Sequence, residues 1–160
     1  MKVSILIPSR NERFLVPTVD DIFAKAAGEI EVIVVLDGGT WPEQLPKGRK
    51  NLILIHRGES QGMRAAINSA AAIAKGKFLM KSDAHCLFAQ GFDEVLKAEC
   101  EENWVVIPRR YSLDAENWKV KEDKAPVDAH YLCNPWAKPE EPGLHGEVDR
   151  GRAREQKDIL

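Results

Sequence analysis

Apolar residues fall in short blocks along the first 108 residues, and the blocks alternate between two rhythms. Val3, Ile5, Leu6 and Ile7 form a compact run closed by Pro8, the pattern of a buried strand. Over residues 17–27, Val19, Ile22, Phe23 and Ala26 recur at helical spacing and Gly28 supplies a stop. A β-branched run follows at 30–36 and ends on Asp37-Gly38-Gly39, and a third strand is predicted at 52–55. An alanine-rich helix is expected over 63–75, a fourth strand over 78–80, a helix over 91–102 and a fifth strand over 105–107, before Pro108. Strand–helix alternation with almost continuously apolar strands predicts an α/β fold: a mostly parallel sheet with helices on both faces.

Beyond Arg109 the rhythm is lost. Prolines stand at 126, 135, 139 and 142, one short strand is expected at 129–133, and residues 138–160 are dense in charge with no periodic apolar face. The expected division is a core at 1–118 and an irregular, charged C-terminal segment at 119–160, a solvated tail or a piece of a longer catalytic domain.

Composition narrows the function. A hydrophobic content of 44% allows a sizeable core, and a formal net charge of −2 gives no general attraction to nucleic acid or anionic membranes, so any phosphate recognition has to be local. No apolar run reaches the roughly 20 residues of a membrane span. Cys86, Cys100 and Cys133 fit no zinc module, and a reducing, cytoplasmic setting is expected.

In sheets of this kind ligands sit outside the carboxyl ends of the strands, so the polar residues there carry the chemistry. Asp83-Ala84-His85 follows the fourth strand. A carboxylate and an imidazole two residues apart suit manganese or a similar divalent cation and leave positions for phosphate oxygens. The alternative is a turn residue beside a polar neighbour. Asp37, followed by two glycines, is either a hydrogen-bond acceptor for a base or ribose or a plain turn. Arg64, just after Gly62, is either a phosphate ligand beside a helix N-terminus or an exposed arginine. Gathered at one sheet edge, these groups match the needs of a nucleoside diphosphate.

These segments resemble a known family. Val3-Ser4-Ile5-Leu6-Ile7-Pro8-Ser9-Arg10-Asn11-Glu12 is similar to the opening of glycosyltransferase family 2 and related GT-A enzymes. Glu31 to Gly39 resembles their second strand, with one aspartate where two are usual, and Gly62-Met63-Arg64-Ala65-Ala66-Ile67-Asn68 resembles their helix start. Most such enzymes carry Asp-X-Asp at the fourth strand. Asp83-Ala84-His85-Cys86, with Gly91-Phe92 after it, instead resembles the polypeptide N-acetylgalactosaminyltransferases.

The resemblance implies transfer of a sugar from a nucleoside-diphosphate donor, UDP-linked by expectation, to a hydroxyl acceptor. It places Asp83 and His85 on Mn2+ or Mg2+ as catalytic groups, with His145 or His130 as candidate third ligand. Pro8, Ser9, Asn11, Glu12, Asp37, Gly38, Arg64, Ser82 and Asp83 are expected around the nucleotide. The motifs of an acceptor half do not appear, so a nucleotide-sugar-binding module without turnover is the alternative. A nucleotidyltransferase ranks lower, because Ser9 to Glu12 contains no glycine, and no G-x-G-x-x-G supports a dehydrogenase.

Overall fold

The computed structural model describes residues 1–39, 45, 48–133 and 145–150, without the side chains from 127 onward. Four parallel strands, β1 (Val3–Ser9), β2 (Ile30–Asp37), β3 (Leu52–Arg57) and β4 (Phe78–Lys81), form one sheet in the order β3-β2-β1-β4. Helix α1 (Leu15–Lys25) connects β1 to β2, α2 (Met63–Ile73) connects β3 to β4, and α3 (Phe92–Ala98) follows β4.

The two-residue period of a strand sends β1 and β2 to both faces. Val3, Ile5 and Ile7 lie beside Ile30, Val32 and Val34 and share a core with Leu15, Val19 and Ile22 of α1. Leu6, Ile33 and Val35 pack with Ala66 and Ala70 of α2 in a second cluster. The small alanines at i and i+4 let α2 lie close to the sheet. Both central strands are therefore covered on both sides, which is why they read as unbroken apolar runs. Pro8 does not end β1, which runs on to Ser9, and Pro17 sits in the first turn of α1, where its missing N–H costs no helical bond.

A buried polar knot closes the opposite edge of the sheet. Glu31 accepts hydrogen bonds from Ser4 Oγ at 2.5 Å and Lys75 N at 2.6 Å, and pairs with Lys2 Nζ at 2.9 Å. Burial alone would raise this carboxyl, but the bonds from Ser4, Lys75 and Lys2, with the Lys2 charge, lower it from 4.5 to about 2. Asp93, buried in the first turn of α3, accepts from Ala27 N and Gly28 N at 2.9 and 2.8 Å and fastens the α1–β2 turn.

Two expectations change. The predicted fifth strand at 105–107 lies outside regular secondary structure, with Val105 87% and Ile107 65% exposed. An apolar triplet becomes a strand only where a neighbour takes its backbone bonds, and among the described residues none does. The helix predicted to 102 stops at Ala98, and Asn103 adopts a left-handed φ of 67°. The chain forms two compact units, 1–106 and 107–160.

The second unit opens with an antiparallel hairpin of β5 (Leu113–Asp114) and β6 (Lys119–Val120). The second unit also contains β7 (Val127–Cys133), antiparallel to β8 (His145–Arg150). The strand expected at 129–133 is thus longer and has a partner in the stretch expected to be irregular. The charges at 147, 149 and 150 hid that partner from a search for apolar alternation.

Candidate active site

The strand order runs outward from β1 through β2 to β3 and then returns to β4 on the other side of β1, by way of α2 on the face opposite α1. That is the switch point at which such sheets open a crevice. A cleft of about 320 Å3 lies there. Pro8, Ser9, Arg10 and Glu12 line it from β1, Asp37 from β2, Ser60, Gly62 and Met63 from the entry to α2, and Asp83, Ala84 and His85 from β4.

Of the residues expected on sequence grounds, the fold brings Pro8, Ser9, Glu12, Asp37, Asp83 and His85 together. Asn11, Gly38, Arg64 and Ser82 do not line the cleft among the described residues. Arg64 is exposed on the first turn of α2. Ser82 is buried, its N–H bonded to Leu6 O and its hydroxyl to Asp83 O. Asn11 takes a left-handed φ of 53°, and a Cβ on Gly39 would come within 2.8 Å of its Oδ1, so Gly39 lets the ends of β1 and β2 approach. Gly38 also has positive φ, and a Cβ there would lie 2.4 Å from Ser60 N. His130 and His145 fall on β7 and β8 in the other unit, and their side chains lie outside the described residues.

Asp37 braces the cleft from within the chain. Its carboxylate is nearly enclosed and accepts from Arg57 Nη1 at 3.0 Å, Ser60 Oγ at 2.8 Å, Gln61 N at 3.0 Å and Gly62 N at 2.8 Å. The Gln61 amide outweighs burial and, with Arg57, Ser60 and Gly62, holds this carboxyl well below the usual range. Both oxygens are engaged inside the chain, and Asp37 secures the wall of the cleft. Arg57 completes the clamp by donating to Ala65 O at 2.8 Å and to Ser69 Oγ.

Sequence reasoning marks Arg57 only as a polar residue at the end of the third strand and passes over Ser60 and Gln61, because all three lie 20 to 24 positions from Asp37. The one available signal was register. Arg57 is the residue directly opposite Asp37 on the neighbouring strand.

At the end of β4, Asp83 pairs with Lys81, and His85 Nδ1 lies 3.1 Å from Glu12 Oε2. The loop beyond is held by α1: Thr18 Oγ1 accepts from Cys86 N at 3.0 Å and Asp21 from Phe88 N at 2.7 Å. In the wall beside them, Ser9 Oγ is buried with no hydrogen-bond partner among the described residues. Such a hydroxyl is costly unless something else satisfies it.

Among the described residues no group of three or more His, Cys, Asp or Glu side chains is placed to hold a metal ion. Asp83 and His85 supply one oxygen and one imidazole nitrogen. That donor set fits a divalent cation whose coordination a bound diphosphate and water would complete, rather than a closed protein cage.

The parallel sheet, its switch-point cleft and this polar edge define a GT-A-type glycosyltransferase domain. The sequence pattern described as Glycosyl transferase family 2 matches residues 4–148, and the chain belongs to that family. Among solved structures it is similar to TarS of S. aureus, at 25% identity and a TM-score of 0.52, over 61% of this chain. The match spans 19% of the TarS chain. No curated protein sequence matches. Among the described residues no helix is long and apolar enough to cross a membrane.

Proposed function

We propose that this chain transfers a sugar from a nucleoside-diphosphate donor, UDP-linked, to a hydroxyl acceptor, with Mn2+ or Mg2+ held by Asp83 and His85. The observation that supports it best is convergence: two potential metal donors, the unpartnered Ser9 hydroxyl and the Asp37-braced wall share one cleft. A divalent cation bound there would neutralise charge developing on the departing diphosphate. The chain's own part is to shape the pocket. Pro8 and Ser9 line the nucleoside side, Asp37 keeps Ser60 to Gly62 in place, and Arg64 reaches from the first turn of α2 toward phosphate.

A nucleotide-sugar-binding module without turnover is the second reading. It is favoured by the partners that Glu12, Asp37 and Asp83 already hold, which leave none of these three carboxylates unpaired to deprotonate an acceptor.

The test is Asp83→Ala with UDP binding measured by calorimetry, with and without Mn2+. Wild type is expected to bind UDP more tightly with the metal. The variant is expected to lose that dependence and keep a weaker, metal-independent affinity. Unchanged metal dependence in the variant would remove Asp83 from the site. Donor hydrolysis and transfer, measured on the same wild-type sample, separate enzyme from module.

A further inference from the structure

We infer that Glu12 is a positioning residue that fixes the tautomer of His85, so that the proton sits on Nδ1 and the Nε2 lone pair is offered to a ligand. The geometry stands on its own; its consequence for metal binding rests on the function proposed above.

Glu12 and His85 are 73 residues apart and meet only because β1 and β4 are neighbours. An ionised carboxylate can only accept hydrogen bonds, so the nitrogen facing it at 3.1 Å must carry the proton. In a neutral imidazole the lone pair is then on Nε2. That nitrogen has no hydrogen-bond partner among the described residues, and the ring is 56% exposed in the cleft.

An exposed His–Glu contact is often incidental, and such pairs contribute little by themselves. Here both sides are mounted on the same helix. The other oxygen of Glu12, Oε1, accepts the N–H of Phe14 at 3.1 Å, at the N-cap of α1. The segment after His85 is tied to Thr18 and Asp21 of α1 through Cys86 N and Phe88 N. The carboxylate and the backbone beside the imidazole are thus aimed independently by one rigid element. A carboxylate behind a ligating histidine is a recurrent way to hold a ring for a metal.

The experiment is long-range 1H–15N NMR of the His85 ring in the full chain, in buffer near pH ~8, above the ordinary imidazole range. It is run on wild type and on Glu12→Ala, with Mn2+ binding in the presence of UDP followed by electron paramagnetic resonance. Wild type is expected to show a single tautomer with Nδ1 protonated. Glu12→Ala is expected to show a mixture and to bind Mn2+ about tenfold more weakly. A wild-type ring protonated on Nε2 overturns the inference without any variant, and so does an unchanged tautomer in Glu12→Ala. If the wild-type tautomer is as inferred but Mn2+ does not bind with UDP, the functional reading fails and the positioning role stands.

Discussion

Asp37 shows how a side chain can be placed from the sequence while its partners stay hidden. Its position at the end of β2, ahead of two glycines, was visible in the sequence, and it does line the cleft. Its partners were not visible, because Arg57, Ser60, Gln61 and Gly62 come from a different strand and loop. Removing the carboxylate leaves the Arg57 guanidinium, 13% exposed, without its counter-charge. Breaking a buried pair on one side is expensive. Asp37→Ala is therefore expected to lower stability by about 3 kcal/mol in urea denaturation. A loss below about 1 kcal/mol would show that the clamp is solvated rather than structural.

Among the elements, α1 carries more of the site than its sequence announced. Val19, Ile22, Phe23 and Ala26 were readable from helical spacing and pack in the core as expected, whereas Leu15, which joins them there, lies ahead of the predicted span. Thr18 and Asp21 read only as polar positions, yet they hold the loop that follows His85. Thr18→Val keeps the shape and removes the acceptor for Cys86 N. The expected result is faster hydrogen exchange at the Cys86 amide and a loss of about 1 kcal/mol in stability. Exchange at wild-type rates would mean that this loop is held by other contacts. The failed strand at 105–107 teaches the converse. Its composition was suitable, but pairing belongs to two segments, and composition describes only one.

For the whole molecule, acid stability should follow the two buried carboxylates that folding lowers, Glu31 and Asp37. Glu31 is lowered from 4.5 to about 2, and Asp37 is lowered as well. A carboxyl lowered by folding adds stability above its unfolded value, and that stability is lost as pH falls toward the folded one. The melting temperature is expected to drop between about pH 4.5 and 2, with a shallower drop in Glu31→Gln, measured by circular dichroism. Equal slopes in the two proteins would remove Glu31 from the cause. The family assignment and the likeness to TarS agree with the motifs, while the donor, the cation and the resemblance to the polypeptide N-acetylgalactosaminyltransferases at Asp83-Ala84-His85 bear on the proposal alone. Local periodicity was enough to determine the parallel α/β class, because burial on both faces leaves unbroken apolar strands and amphipathic helices in the chain itself. Folding in three dimensions decided that β1 and β4 lie side by side, that Glu12 meets His85, and that Asp37 spends its charge on Arg57. Hydrogen bonds and ion pairs join residues by distance in space, and a linear sequence does not contain those distances.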